Sequence, residues 1–193
     1  TSFACYVSGA RDNIWIEENK FVAAPKDPGN NETYALLTDG GQTNQTYKNN
    51  IFDGLSTPWF LVYVNGWADV KVASTNIDFI GNTFVSTSGG LSLSSSGGEI
   101  TGNYFQGNAG FGLSQYATNT ITGNFFESVG DEVSLNDTSG VTIDDILNNN
   151  SFVKKVVIKN ELGYRYESYP WGYYAIVRGN IQGAIDAASA GDS

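Results

Sequence analysis

The sequence predicts an all-β solenoid built of coils about 21 residues long, three short strands to a coil. Three observations predict it. The segments Phe79-Ile80-Gly81-Asn82-Thr83-Phe84, Ile100-Thr101-Gly102-Asn103-Tyr104-Phe105 and Ile121-Thr122-Gly123-Asn124-Phe125-Phe126 read almost alike, with their asparagines 21 residues apart. Looser copies flank them at Asn19-Lys20-Phe21, Asn50-Ile51-Phe52 and Asn150-Ser151-Phe152. Leu91-Ser92-Leu93-Ser94, Phe111-Gly112-Leu113-Ser114 and Val133-Ser134-Leu135-Asn136 align as a second repeat that alternates apolar with small or polar residues. The composition agrees: 23 Gly, 11 Tyr and 11 Phe but no Met among 193 residues suit short strands and tight turns.

Taken in order, Ile14 and Ile16 alternate with polar neighbours and lead through Asn19 to Phe21, which reads as strand, turn, strand. Residues 25–33 are rich in Pro, Gly and Asn and read as an exposed loop. Tyr34-Ala35-Leu36-Leu37 reads as a strand, with a turn at Asp39-Gly40-Gly41. The apolar run 59–64 reads as a buried strand and Val70-Lys71-Val72 as a short one. In the regular part, side chains alternate across a strand. Leu91, Leu93, Phe111, Leu113, Val133 and Leu135 should therefore point inward, leaving Ser and Gly outside. Three strands per coil suit a parallel β-helix, in which each coil buries its apolar side chains against its neighbours.

The turn asparagines Asn82, Asn103, Asn124 and Asn150 are read as structural. Corners between strands require positive φ, which Asn tolerates. Stacked amides can also bond from coil to coil. The Ile-x-Gly-Asn-x-Phe copies resemble the repeats of right-handed parallel β-helix proteins of the pectate-lyase-like class, over roughly residues 10–160. That class includes lyases, hydrolases, phage tailspikes, adhesins and surface-layer proteins, so the resemblance implies a fold before it implies an activity.

Residues 1–160 are thus expected to form the β-helix, and 161–193 to depart from it. The departure is dense in aromatics. Arg165, Tyr166, Tyr169, Trp171 and Tyr173 are the candidate glycan or partner contacts, since Tyr, Trp and Arg dominate binding hot spots. A strand is expected at Ala175-Ile176-Val177. A short helix follows over 181–188, capped by Asn180, with Ile181, Ala184, Ile185 and Ala188 on one face. This last stretch is similar to the segment that opens the solenoid in many β-helix proteins. It predicts a capping or docking helix, and either a unit cut from a longer protein with successive solenoids or subunits that stack end to end.

Net charge is −10 and the chain has no His and one Cys, Cys5. The charge argues against nucleic acid. The missing imidazole removes the commonest general base and zinc ligand. One cysteine allows no internal disulfide. No apolar run is long enough to span a bilayer. Thr1-Ser2-Phe3 is not the start of a signal peptide, so the chain reads as a mature or excised form. Asp131, Glu132 and Asp137 flank one strand and are the candidate Ca²⁺ ligands; the simpler reading is solvated turn carboxylates and no cofactor.

Of the carboxylate pairs, His and cations that polygalacturonase-like members use, only Asp144-Asp145 is present. The strand Trp15-Ile16-Glu17-Glu18 is similar to the Trp-Ile-Asp-His strand of pectate lyases, with Glu17 at the acid position and Glu18 replacing the histidine. No catalytic residue is assigned. The expectation is an extracellular or cell-surface structural module that forms homo-oligomers or filaments by end-to-end stacking and contacts polysaccharide. The alternative is a polysaccharide lyase or glycoside hydrolase of the same class, or an inactive relative of one.

Overall fold

The structure is a computed structural model that describes residues 2–23, 33–39, 41–54, 62–65, 74–86, 90–93, 95–107, 110–113, 120–127, 133–135, 148–152, 156–160, 164–169 and 172–177. The chain runs in circuits, each contributing strands to three sheets. The first circuit is β1 (Ser2–Val7), β2 (Asp12–Glu17) and β3 (Lys20–Val22). The second is β4 (Thr33–Asp39), β5 (Thr43–Lys48) and β6 (Ile51–Asp53). The third is β7 (Val62–Asn65), β8 (Ser74–Ile80) and β9 (Thr83–Ser86). The fourth holds β10 (Gly90–Leu93), β11 (Ser95–Ser96), β12 (Glu99–Thr101) and β13 (Tyr104–Gly107). The fifth holds β14 (Gly110–Leu113), β15 (Thr120–Thr122) and β16 (Phe125–Phe126). β17 (Val133–Leu135) and β18 (Ser151–Phe152) follow.

Strands of successive circuits pair in parallel. The first sheet runs β1-β4-β7-β10-β14-β17, the second β2-β5-β8-β12-β15, and the third β3-β6-β9-β13-β16-β18. The described chain is therefore all-β and overwhelmingly parallel, a path compatible with a solenoid. The expected alignment is present: Leu91 pairs with Phe111 and Phe111 with Val133, while Leu93 pairs with Leu113 and Leu113 with Leu135. Leu91 and Leu93 are fully buried.

The period is less regular than the middle of the sequence implies. Neighbouring motif asparagines are separated by 31, 32, 21, 21 and 26 residues, yet each meets the next. The extra residues fall in sequence between paired strands, where added chain length costs little. What holds the register is the interior. Phe21, Phe52, Phe84, Phe105 and Phe126 stack ring on ring along the third sheet at centroid distances of 5.4, 5.2, 4.8 and 4.6 Å. On the second sheet Tyr47 stacks on Phe79 at 4.8 Å. Because side chains alternate, a one-residue slip would turn every one of these rings to solvent.

Between the second and third sheets the corner differs from the sequence expectation in one respect. Positive φ falls on the residue before the motif asparagine: Glu18, Asn49, Gly81, Gly102 and Gly123, at 59, 53, 64, 64 and 66°. The asparagine itself supplies the amide that stitches circuits together. Glycine suits the last three corners, but Asn49 shows that asparagine also fits. A Cβ on Gly102 would meet nothing nearer than a backbone nitrogen at 3.9 Å. Gly102→Asn is therefore expected to leave stability within about 1 kcal/mol of the parent, whereas Gly102→Val costs about 2 kcal/mol or more, because a β-branched side chain resists this conformation. Chemical denaturation of the two variants checks this, and equal losses would refute it.

After β17 the order changes. β19 (Val156–Asn160) still pairs in parallel with β17, but β20 (Tyr164–Tyr169) and β21 (Gly172–Val177) are added antiparallel. The strand expected at Ala175-Ile176-Val177 lies within β21. The helix expected over 181–188, the strand Val70-Lys71-Val72 and residues 59–61 of the apolar run lie outside the described residues.

Candidate functional site

On the outward face of the second sheet, described residues of β2, β5 and β8 line a cleft. In β2, Ile14 and Ile16 turn toward the interior, so Trp15 between them turns out and is 61 % exposed. Register sets Trp15 beside Thr46 and Thr46 beside Asp78. Each of the three strands also contains a left-handed asparagine, Asn13, Asn44 or Asn76, with φ of 56, 50 and 53°. Asn tolerates this region better than other residues with a side chain. In the next circuit Gly97 fills the same place at 73°.

These asparagines form an exposed amide chain. Asn76 Nδ2 donates to Asn44 Oδ1 at 3.1 Å, and Asn44 Nδ2 donates to Asp12 Oδ1 at 2.9 Å. Thr43 Oγ1 and Asn13 Nδ2 also donate to the Asp12 carboxylate, both at 2.8 Å. The donors of Thr43 and Asn44 hold the Asp12 carboxyl below its ordinary range. Trp15 is tied down in turn. Its Nε1 donates to Glu17 Oε2 at 2.8 Å, and Glu17 Oε1 lies 3.3 Å from Lys48 Nζ. The indole bond, with Lys48 behind it, lowers the Glu17 pKa. Lys48 Nζ sits 5.8 Å from the centroid of the Trp15 ring. Asn13, Ile14, Trp15, Asn44, Thr46, Asn76 and Asp78 together line a cleft of about 310 Å³.

The motif asparagines form a second, interior ladder. Asn82, Asn103 and Asn124 are buried. Asn82 N and Nδ2 donate to Asn103 Oδ1, Asn103 N and Nδ2 to Asn124 Oδ1, and Asn124 N and Nδ2 to Asn150 Oδ1. Each Nδ2 also reaches back to a strand carbonyl: Tyr47 for Asn82, Phe79 for Asn103, Ile100 for Asn124 and Ile121 for Asn150. The ladder has a direction, since every Oδ1 receives from the preceding circuit. Asn50 Oδ1 takes Asn19 N and Nδ2 in the same way, at 3.0 and 3.4 Å. Among the described residues no donor reaches Asn19 Oδ1. This end is also a strand edge, because β1, β2 and β3 each stand last in their sheets.

Of the other expected site residues, the described ones lie on strands of the first sheet. Arg165, Tyr166 and Tyr169 lie on β20 and Tyr173 on β21, where register pairs Arg165 with Ile176, Tyr166 with Ala175, Ser168 with Tyr173 and Tyr169 with Gly172. Trp171, Asp131, Glu132, Asp137 and the Asp144-Asp145 pair lie outside the described residues. Among the described residues no three acidic or cysteine side chains come together as a metal site. Cys5 is partly buried, which pushes its thiol pKa up. The Trp15 cleft was not picked out from sequence, although its signal was there: an aromatic at the outward position of an alternating strand. No protein-family model, curated protein or solved structure matches the chain.

Proposed function

We propose that the chain is a structural module, a right-handed parallel β-helix like the pectate-lyase-like proteins its repeats resemble, and that it joins end to end with a second copy of itself. Parallel strands linked by crossovers are right-handed in nearly all known cases, which supports the handedness. The observation that carries the assembly is the first circuit: three strand edges with no neighbour among the described residues, and an asparagine ladder whose first acceptor, Asn19 Oδ1, receives nothing there. Unpaired edges recruit further strands. A one-way ladder selects a head-to-tail joint, which repeats into a filament when it does not close. An extracellular or cell-surface setting belongs to this reading, on the net charge of −10 and the scarcity of cations. The hydrolase alternative lacks support at the described cleft, where Asp78 is the only carboxylate in the lining and glycoside hydrolysis takes two.

The joint can be blocked at β3. Ile51 N donates to Asn19 O and Ala23 N to Asp53 O, so the alternate residues Lys20 and Val22 turn their backbone groups to the open side. Val22→Pro removes an outward N–H without breaking a bond to β6, and proline is tolerated at such edges. Sedimentation velocity over a wide concentration range is expected to show the parent growing in whole-chain steps and Val22→Pro remaining monomeric. A parent that stays a compact monomer throughout defeats the reading.

A further inference from the structure

We propose that the cleft beside Trp15 binds a neutral sugar ring of a glycan. The inference stands independently of end-to-end assembly and starts from how the indole is held. An exposed tryptophan ordinarily samples several rotamers, and ordering it on binding costs affinity. Here Nε1 is fixed by Glu17 at 2.8 Å, and Glu17 is fixed by Lys48 at 3.3 Å. The ring is thus set in place before any ligand arrives, as a recognition platform should be.

Three features choose the ligand. Lys48 Nζ already occupies the cation position over the ring, 5.8 Å from its centroid. A cationic guest would meet that ammonium, so the open part of the indole is left for an uncharged, apolar face. The walls, in contrast, are rich in acceptors. Asn13 and Asn76 each commit one Nδ2 hydrogen, to Asp12 and Asn44, and among the described residues their Oδ1 atoms receive no hydrogen bond. Asp78 Oδ1 takes Glu99 N at 2.9 Å, while among the described residues its Oδ2 receives only a long 3.4 Å contact from Thr46. The fitting guest carries several donors around an apolar ring face, which describes a pyranose: C–H groups against the indole, hydroxyls toward Asn13, Asn76 and Asp78. Finally, among the described residues no Lys or Arg lines the cleft and Asp78 does. With the Lys48 ammonium already paired with Glu17, the Asp78 carboxylate is the charge left to meet a guest, and it disfavours uronate and sulfated sugars. A volume of about 310 Å³ lies at the small end of ligand sites and suits a short stretch of glycan.

The test is titration with neutral hexasaccharides of glucose, mannose and N-acetylglucosamine, read by calorimetry and by tryptophan emission, with polygalacturonate and choline as contrasting probes. At least one neutral hexasaccharide is expected to bind. Trp15→Ala, and Asn76→Gly, which keeps the left-handed backbone that Gly97 shows to be compatible, should each weaken it about tenfold or more. Both variants should keep the parent circular dichroism and melting temperature, since the two side chains lie on the surface. Failure of every neutral hexasaccharide to bind overturns the proposal. So does equal binding of polygalacturonate or choline, or undiminished binding by a folded Trp15→Ala. Loss of association without any glycan binding in Trp15→Ala would assign the indole to the joint between copies and likewise overturn it.

Discussion

Replacing Asn103 by alanine is expected to lower the melting temperature by roughly 8–16 °C, the result of losing about 4 kcal/mol in a chain of this size. Asn103 is buried and its amide is fully used. Its Oδ1 takes Asn82 N and Nδ2 at 2.8 and 3.0 Å, and its Nδ2 gives one hydrogen to Phe79 O at 2.7 Å and the other to Asn124 Oδ1 at 2.9 Å. Alanine strands two donors on Asn82 and the carbonyl of Phe79 where water cannot replace them, and each buried orphan costs about 1–3 kcal/mol.

Asn103→Asp separates hydrogen bonding from packing. The carboxylate keeps the acceptors for Asn82 but turns negative oxygen toward Phe79 O and Asn124 Oδ1. Its folded pKa must then rise above the unfolded value of about 3.9. The folded state binds the extra proton, so the penalty is small at pH 4 and grows as pH rises through the folded pKa. Melting curves at pH 4 and 7 are expected to show the Asp variant closing part of its gap to the parent in acid, while the Ala gap stays flat. Matching pH profiles for the two variants would show that the ladder does not hold the corner through its donors.

Phe105→Ala is expected to cost about 3–5 kcal/mol, read from urea denaturation. Its ring has no exposure and lies between Phe84 and Phe126 at 4.8 and 4.6 Å, with interplanar angles of 8 and 7°. Truncation removes two stacking faces and opens a cavity that rigid sheets cannot close. Phe125, one residue before Phe126 in β16, is the control. It is 39 % exposed on the outer face, so Phe125→Ala should cost no more than about 1 kcal/mol. Similar losses for the two would mean that inside and outside have been wrongly sorted along the third sheet.

The middle of the molecule was legible because two repeats coincide there. The Asn-x-Phe motif placed Phe84, Phe105 and Phe126, and the Leu-x-Leu motif set Leu91 and Leu93 in register with β14. Both are consequences of period-2 side chains on stacked strands, which sequence records directly. The earlier circuits were harder to read because 31 and 32 residues separate Asn19, Asn50 and Asn82, and the length of chain between paired strands carries no register. The corner was assigned to the wrong member of the Gly-Asn pair: asparagine and glycine both suit positive φ, and only the backbone shows that Gly102 bends while Asn103 bonds. The Trp15 cleft is assembled from β2, β5 and β8, residues about thirty positions apart, and a one-dimensional scan for clustered acids or motifs passes over it.

The asparagine ladder also acts as a ruler. Because each rung meets the next whether 21, 26, 31 or 32 residues intervene, the chain counts rungs and not residues. Every rung advances the stack by one strand spacing, about 4.8 Å. Excising residues 83–103 would bring Asn82 directly before Tyr104 and remove one whole rung, shortening the molecule by that step with Asn82 facing Asn124. Lengthening a loop changes what the surface presents and leaves the span untouched. Reach and surface can therefore vary independently in this architecture, the first in fixed increments and the second continuously.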